Sequence, residues 1–341
     1  MNPQLRSEII FRLVSRIPVS LLRRVAGPNI IVPYYHMISD EKVLHVEHLY
    51  KYKRPLEFKA DLDFLLRNYV PISLLEILDY IETDRRLPEN AFLLTFDDGY
   101  REMSEVVAPI LLERGLSATF FVNSGFVDNE RLCYLNKASL LVEQFRKRSS
   151  PGLEKTLYAI LRDHNIQLDD IKTSILGVKY EQRDLLDEIA MAMNVDFGQY
   201  LAVTKPYLTT EQIDKLVESG FTIGGHSIDH PLYTSLSLED QIHQTIESVT
   251  FVRKRFDLNY GVFAFPHTDA KVTKEFFARI SDSGLVDLSF GTCGFVDDCV
   301  AKHLQRFSLE KPIDTAGKII AFQHARKLKR LLKGSPRLIR H

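Results

Sequence analysis

Cysteine is scarce in this sequence: the 341 residues include only Cys133, Cys293 and Cys299, and no two of them form a Cys-x-x-Cys pair. An odd and sparse set of this kind does not make a disulfide framework. The three residues are therefore predicted to be reduced thiols, which favours a reducing, cytoplasmic location.

A long uninterrupted apolar run is also missing. The N-terminal stretch SEIIFRLVSRIPVSLLRRV is apolar at about helical spacing, but Arg12, Arg16, Arg23 and Arg24 interrupt it. No window is left that is long enough for a signal-peptide core or a membrane span. Neither secretion nor a membrane-spanning helix is predicted.

Strong net charge is absent as well. A formal net charge of -1 gives no global attraction to nucleic acid, and no nucleic-acid partner is predicted. Both ends are nevertheless basic and amphipathic, the C-terminal one being QHARKLKRLLKGSPRLIRH. One interpretation is peripheral contact with an anionic membrane, which for a cytoplasmic protein would be the inner membrane face. The alternative is that both ends are helices packed on the domain with solvated arginines.

The sequence has no internal repeat and no glycine-rich phosphate loop, so nucleotide-binding folds lose support. What it does contain is an alternation of short apolar runs and amphipathic stretches. The apolar runs are IIVPYYH, FLLTF, ATFFVNS, FTIGGHS, YGVFAFP and VDLSFG. Helical spacing separates them in EVVAPILLERG, SLEDQIHQTIESVTFVRKRF and KVTKEFFARISDSG, where Gly284 has the position of a C-cap. This order predicts an α/β sheet or barrel with parallel strands.

A polar, helix-rich segment at about 127–205 interrupts the alternation, with LEKTLYAILRDH and EQRDLLDEIAMAM as its clearest amphipathic pieces. We interpret it as an insertion between two strands. The predicted organisation is an N-terminal amphipathic basic helix (1–27), one α/β domain with the helical insertion (28–325) and a basic C-terminal tail (326–341).

Side chains of metal-ligand type follow three of the predicted strands. Asp97 and Asp98 end FLLTF, His226 and His230 end FTIGG, and His36 ends IIVPYY. Carboxyl ends of parallel strands meet at one rim, where functional groups collect. In HSIDH the two histidines stand one helical turn apart, a weak signal by itself. Two imidazoles and one carboxylate suit Zn²⁺ or Fe²⁺ with open positions.

Such a site with a spare carboxylate indicates metal-assisted hydrolysis, in which one aspartate binds the ion and the other takes a proton from water. A structural alternative is that an aspartate of DDGYREMSEVV caps the following helix. Both can hold together. In either case Gly99 offers the turn that brings the two carboxylates to one rim.

The combination of TFDDGY with GGHSIDHP is highly specific, and ATFFV, LTTEQIDKLVESGF and YGVFAFP support it. With these motifs the chain resembles the polysaccharide deacetylase family (NodB homology, carbohydrate esterase 4) from Pro28 to about Leu309. The resemblance implies a distorted (β/α) barrel, usually of fewer than eight strands, and hydrolysis of an N-acetyl group from an N-acetylhexosamine unit. It also implies that Asp97 is the base.

The same resemblance implies that Asp98, His226 and His230 hold one divalent metal ion, with zinc as the first choice and iron, cobalt or nickel as others. The general acid departs from the common pattern, a histidine near the C-terminal end, because His324 in AFQHARK lacks the expected surroundings. The element PYYHMISD is instead similar to one in the poly-N-acetylglucosamine deacetylase branch. We therefore assign the acid to His36, against the alternative of a buried histidine hydrogen-bonded at a strand end.

A second departure concerns the Arg-x-Pro-Tyr element of many family members. Here AFPH places Ala264 at the arginine position and His267 at the aromatic one. The His267 backbone N–H still suits an oxyanion donor, and Pro266 and Tyr100 complete the predicted substrate and oxyanion set. Since the arginine is absent, either another residue orients Asp97 or the pKa of Asp97 is higher than in relatives.

The leading prediction is thus a hydrolase acting on an amide bond of an N-acetylated amino sugar. Removal of formyl or another acyl group from a lipid-linked amino sugar is the first alternative, and a catalytically idle carbohydrate-binding protein on the same scaffold is the second. Three further polar residues have no assigned role. Asp269 is predicted to be a turn residue rather than a substrate contact. His45 and His48 are predicted to be solvated loop residues rather than residues that line the cleft.

Overall fold

The computed structural model describes residues 19–26, 30–83, 85–166, 170–311, 314–335 and 337–341. Its strands are β1 (Ile30–Ile31), β2 (Pro33–Tyr35), β3 (Val70–Pro71), β4 (Ala91–Phe92), β5 (Thr95–Phe96), β6 (Thr119–Val122), β7 (Thr222–Gly225), β8 (Val262–Ala264), β9 (Leu288–Gly291), β10 (Asp297–Asp298), β11 (His303–Gln305), β12 (Phe307–Ser308) and β13 (Arg337–Leu338).

The described α-helices are α1 (Val19–Ala26), α2 (Pro55–Asn68), α3 (Leu74–Thr83), α4 (Ala108–Leu112), α5 (Tyr134–Arg148), α6 (Pro151–Asp163), α7 (Ile171–Leu176), α8 (Leu185–Ala192), α9 (Phe197–Thr204), α10 (Thr210–Glu218), α11 (Leu238–Arg255), α12 (Lys274–Asp282) and α13 (Ala316–Leu332). Short 3₁₀ turns cover Val127–Asn129, Tyr180–Gln182 and Tyr233–Ser235, and a π-helical turn covers Met103–Val107.

The main sheet runs in the order β11-β9-β8-β7-β6-β5-β2-β12, and every neighbouring pair in it is parallel. Helices lie in the crossovers between β2, β5, β6, β7, β8 and β9, whereas a non-helical segment that contains β10 connects β9 to β11. The prediction of parallel strands in an α/β barrel is therefore confirmed. Gly284 also ends α12 with a positive φ of 63°, as predicted for a C-cap.

Residues 303–308 close the barrel. Strand β11 pairs with β9 and strand β12 pairs with β2, and only Arg306 separates the two short strands. The ladder changes partner at this residue: the Arg306 backbone N–H donates to Gly291, whereas the Phe307 N–H donates to Val32. Since β11 and β12 share one position, the ring has seven strand positions, fewer than the eight of a regular barrel.

Aromatic side chains fill much of the layer between the barrel strands and the surrounding helices, where Phe96 lies edge-on to Phe58 of α2. Phe96 and Phe120 on neighbouring strands have ring centroids 5.3 Å apart, and Phe221 stands edge-on to Phe120. Each fully buried phenylalanine contributes about 1.5–3 kcal/mol relative to an exposed one. A small parallel sheet, β1-β4-β3, extends two of the barrel strands toward their N-terminal ends, away from the rim where β2, β5 and β7 end.

The chain between β6 and β7 carries α5 to α9, which surround a second apolar core. Leu141, Leu157 and Leu186 are fully buried there. Val43 and Val46, from the segment after β2, belong to the same core. The helical segment therefore packs over the rim of the barrel at which the strands end.

At the two ends of the chain, α1 packs against α13. The remaining residues of the predicted N-terminal helix, 1–18 and 27, lie outside the described residues. Among the described helices, none is long and apolar enough to cross a bilayer.

Candidate active site

Three strands deliver the predicted polar residues to one cavity. His36 follows β2, Asp97 and Asp98 follow β5, and His226 follows β7. Parallel strands bring their carboxyl ends to the same rim. All four side chains line a cavity of about 520 Å³.

The candidate ligand atoms lie close together in this cavity. Asp98 Oδ1 lies 3.4 Å from His226 Nε2 and 3.2 Å from His230 Nε2. All three side chains are largely buried. The three atoms therefore converge on one point at the rim.

The surrounding backbone fixes the two imidazoles. His226 Nδ1 donates a hydrogen bond of 2.8 Å to the carbonyl of Ala264, which leaves Nε2 with its lone pair toward the cavity. The expectation of a helical turn between the histidines is wrong. Ser227 and His230 have positive φ values of 69° and 63°, and Ser227 Oγ accepts a 2.9 Å hydrogen bond from the His230 N–H. A tight turn, rather than a helix, produces the convergence.

The donor set fits a divalent cation. Asp98 Oδ1 is buried and has no hydrogen-bond partner among the described residues. Burial alone would raise the pKa of Asp98, but His230 and His226 lower it well below its usual range, so the carboxylate is an anion. A cation between one carboxylate oxygen and two imidazole nitrogens satisfies all three atoms.

Asp97 forms a bidentate ion pair with Arg306. Nη1 donates to Oδ1 at 2.7 Å and Nη2 donates to Oδ2 at 2.8 Å, with both side chains almost completely buried. Burial alone would raise the pKa of Asp97, but the guanidinium outweighs burial and lowers the pKa. Of the two sequence alternatives, the geometry therefore supports the first: another residue, Arg306, orients this carboxylate.

Arg306 itself has a fixed position. Its guanidinium carbon lies 4.9 Å from the ring centroid of Tyr34 and 5.2 Å from that of Phe121. Nη1 also donates to Thr95 Oγ1, and Nε donates to the carbonyl of Gly291. Because aromatic rings contact the planar guanidinium and hydrogen bonds hold its nitrogen atoms, the group that pairs with Asp97 has a single orientation.

His36 pairs with Glu310. Its Nδ1 lies 2.5 Å from Glu310 Oε2, and its backbone N–H donates to Oε1. Burial alone would lower the pKa of His36, but the Glu310 carboxylate raises it above its ordinary value. The side chain keeps 23% exposure and lines the cavity. His36 is therefore both hydrogen-bonded at a strand end and open to the cavity, so the two sequence interpretations do not exclude each other.

The sequence interpretation missed Arg306 and Glu310. They stand four residues apart in the extended run RFSLE, so their side chains project on the same side. Phe307 and Leu309, which alternate with them, are buried in the core. Polar residues at every second position (Arg306, Ser308 and Glu310), alternating with apolar ones, were the available signal, but the pairing of this run with β2 is non-local.

The three predicted substrate and oxyanion residues, His267, Pro266 and Tyr100, differ from one another in their position relative to the cavity. His267 lines the cavity with a positive φ of 54°, and its ring centroid lies 4.6 Å from that of His230. Pro266 is buried and does not line the cavity. Tyr100 is buried in the cavity wall, where its hydroxyl accepts a 2.9 Å hydrogen bond from Asn136 Nδ2.

The Asp-Asp-Gly turn does not cap a helix. The residue before the π-helical turn is Glu102, and no side chain caps it. Asp98 and Gly99 instead have consecutive positive φ values of 75° and 67°, which turn the chain sharply after β5. A Cβ at Gly99 would lie 3.2 Å from Val122 Cγ1. Backbone conformations of this kind collect at functional sites.

Asp269 is completely buried rather than a simple turn residue. Its carboxylate accepts hydrogen bonds from Gln305 and Arg340, pairs with His303 and accepts from the Thr292 N–H. Together with Asp298 and His303 it forms a second group of ligand-type side chains. The Arg340 guanidinium bonds to both carboxylates, so a protein cation already serves this cluster.

The prediction that His45 and His48 are solvated is wrong. His45 is buried, bonds to the Tyr200 hydroxyl at 2.9 Å, and burial lowers its pKa to about 3. His48 lines the cavity and bonds to Glu143. His324, which the sequence disfavoured as the acid, is buried against Phe295 and does not line the cavity.

Comparison with known proteins places this geometry in context. A model of the family described as polysaccharide deacetylase matches residues 84–285, more than half of the chain. A relative from Bacillus subtilis (strain 168), "Putative polysaccharide deacetylase YxkH", is 23% identical over 193 residues. That match covers 56% of this chain and 61% of the relative, less than two thirds of its length.

Solved structures share the fold at low sequence identity. IcaB from Ammonifex degensii is 18% identical with a TM-score of 0.54, over 88% of this chain and 98% of that chain. The Streptococcus pyogenes deacetylase PplD, solved in complex with acetate, is 14% identical with a TM-score of 0.54, over 86% of this chain and 97% of that chain. The expected barrel is confirmed by these similarities.

Proposed function

The chain belongs to the polysaccharide deacetylase family, and on that premise we propose that it is a metal-dependent hydrolase removing the N-acetyl group from an N-acetylhexosamine unit. The predicted family and the predicted class of amide hydrolase agree with this membership. The substrate, the metal and the roles of individual residues are part of the proposal.

Asp98, His226 and His230 would hold one divalent ion, with zinc as the first choice and iron, cobalt or nickel as others. Nitrogen and carboxylate ligands with open positions suit these metals. When bound, the ion supplies Lewis-acid polarisation of the amide carbonyl and a water of lowered pKa.

Asp97 takes the proton from the attacking water. The bidentate pair with Arg306 aims its carboxylate at the cavity and keeps it ionised before the reaction. Each carboxylate oxygen retains a lone pair for the water after bonding to the guanidinium.

His36 gives a proton to the departing amine. Since Glu310 bonds to Nδ1, the transferred proton is the one on Nε2. The negative charge of Glu310 stabilises the imidazolium before transfer. The His267 backbone N–H is the protein donor for the negative charge that develops on the amide oxygen.

A single observation carries this proposal: a base paired with Arg306, an acid paired with Glu310 and a three-ligand group line the same cavity. An idle carbohydrate-binding protein has no need for oriented proton-transfer groups. The complete set therefore favours catalysis over binding alone.

The test is acetate release from a panel of short N-acetylglucosamine oligomers and lipid- or nucleotide-linked N-acetylhexosamines. The protein is assayed after metal stripping and after reconstitution with zinc, iron, cobalt or nickel. We expect metal-dependent acetate from at least one substrate. Formate from an N-formyl analogue, with no acetate from any substrate, would replace the deacetylase by the deformylase alternative.

A cytoplasmic location with peripheral contact at an anionic membrane is a further part of the proposal. Leu21 and Leu332 are 54% and 81% exposed, Arg24 and Lys329 are exposed in the same pair of helices, α1 and α13, and the exposed Lys333 follows α13 directly. Apolar and basic side chains together favour anionic bilayers. Sedimentation with vesicles containing anionic lipid, and none with zwitterionic vesicles, is the expected result.

A further inference from the structure

The cavity extends well beyond the groups that the reaction needs. Its volume of about 520 Å³ is typical of pockets that enclose a drug-sized ligand. His36, Asp97, Asp98 and the two ligand histidines occupy the rim of the barrel, whereas part of the remaining lining comes from the segment after β2 and from the helices between β6 and β7. Space is therefore available for more than an acetyl group.

Three leucines from separate segments face this additional space. Leu49 lies in the segment between β2 and α2, Leu135 lies in the first turn of α5, and Leu176 is the last residue of α7. We call them the leucine wall. All three are only half-buried, so they present apolar surface to the cavity instead of packing completely in the core. Sugar hydroxyls seek hydrogen bonds, which leucine does not offer.

The leucine wall is joined rigidly to the catalytic rim. Asn136, the residue after Leu135, is fully buried; its Nδ2 donates to the carbonyl of His45 and to the hydroxyl of Tyr100. Its Oδ1 accepts from the Tyr207 hydroxyl. Because Tyr100 comes two residues after Asp98, one amide links the helical segment to the site. The part of the leucine wall that α5 carries is thus preformed, which lowers the cost of binding.

We propose that the leucine wall receives a hydrocarbon group carried by the amino sugar, either as an N-acyl chain longer than acetyl or as the aglycone. This inference rests on the proposed function and names the class of substrate for the same site. Exposed apolar surface inside a concave pocket beside a few polar groups is the arrangement that binds amphipathic small molecules.

The test measures affinity first, so that it does not depend on turnover. Calorimetry on the metal-stripped, full-length Asp97→Asn protein uses the methyl glycoside of N-acetylglucosamine as the reference ligand. One arm replaces methyl by a hexyl aglycone, and the other replaces N-acetyl by N-hexanoyl. Each fully buried CH₂ group is worth about fourfold in affinity. We expect at least a tenfold lower dissociation constant in one arm, which also identifies the source of the hydrocarbon.

Leu135→Ser and Leu176→Ser, each in the Asp97→Asn protein, should each remove most of this gain. The matched control is Val203→Ser, which lies in the same helical segment but is 78% exposed on its outer surface. The control should retain the full gain. Using two leucine variants keeps the test informative if one of them does not fold.

Equal affinity for the reference and both hydrocarbon ligands would overturn the inference, and so would a gain that survives both leucine substitutions. Acetate release by the wild-type protein is measured separately. Hydrocarbon-dependent binding without acetate from any ligand would contradict the proposed function but leave the leucine wall as a binding site.

Discussion

Arg306 and Asp97 are 209 positions apart in the sequence and form a buried bidentate ion pair, with nitrogen-to-oxygen distances of 2.7 and 2.8 Å. The pair also joins the strand that closes the barrel to the strand that carries the carboxylates. The residue at the closure of the ring is therefore the one that orients the proposed base.

Replacing Arg306 by lysine should lower kcat by about 10- to 100-fold, because an ammonium cannot reproduce the bidentate geometry and small misplacements of a catalytic group cost this much. The number of metal ions bound per chain should not change. Steady-state kinetics and metal analysis check both expectations. The control is Arg279→Lys, since Arg279 pairs with Glu239 at the surface and should have little effect. Full activity of Arg306→Lys would refute the positioning role.

Replacing Glu310 by glutamine should move the basic limb of the pH–rate profile to lower pH. Glu310 raises the pKa of His36, and the acid must be protonated to donate. Without the carboxylate the pKa of His36 falls. As the pH is raised, His36 therefore loses its proton earlier, and activity declines at a lower pH than in the wild-type protein.

The control for this experiment is Glu143→Gln, which removes a carboxylate from another cavity histidine, His48. Its pH profile should match that of the wild-type protein. If Glu310→Gln left the basic limb in place, His36 would not be the acid, or Glu310 would not tune it.

Replacing Arg340 by methionine should destabilise the fold by about 3–5 kcal/mol, because it leaves Asp269 and Asp298 buried without their guanidinium. Arg337→Met is the control, since Arg337 is exposed in the same C-terminal segment. Urea unfolding of the two variants measures the difference. Equal stability would mean that the neighbouring imidazole and amide groups compensate for the missing cation.

Replacing Gly99 by alanine should weaken metal binding as well as stability. The residue has a φ of 67°, where a side chain costs about 1–2 kcal/mol, and its Cβ would press on Val122. Gly115→Ala is the matched control, because Gly115 has a φ of 62° but nothing within 4 Å of the added carbon. Both variants should lose thermal stability, and only Gly99→Ala should bind zinc more weakly. Equal zinc affinity in the two would show that contact with Val122 does not reach Asp98.

The sequence was sufficient for six of the strands of the parallel barrel, because these strands carry a local apolar pattern and the crossovers between them carry helical ones. It was also sufficient to predict that Asp97, Asp98, His226 and His230 lie at one rim. The individual roles of these four residues stay predictions. The missing orienting group could not be found in this way. Arg306 lies between two very short strands, and only the pairing of residues 303–308 with both β9 and β2 brings it to Asp97.

The position of the leucine wall in the cavity could not be predicted from the sequence for a similar reason. Asn136 and Leu176 belong to amphipathic helices whose patterns predict packing but not the surface they cover. Hydrogen bonds between distant segments, among them those from Asn136 to the chain at His45 and Tyr100, place the helical segment over the site. Polar contacts between segments distant in sequence leave no periodic signal.

The most direct test of the account separates the two adjacent aspartates. Metal content and acetate release are measured for Asp97→Asn and Asp98→Asn, both reconstituted with zinc, on a substrate that the wild-type protein turns over. Asp97→Asn should keep one zinc ion per chain and lose activity by about 10²- to 10⁴-fold, as expected for loss of a general base. Asp98→Asn should lose both zinc and activity. Full zinc binding and full activity in Asp98→Asn, or undiminished activity in Asp97→Asn, would contradict the division of roles between the two carboxylates.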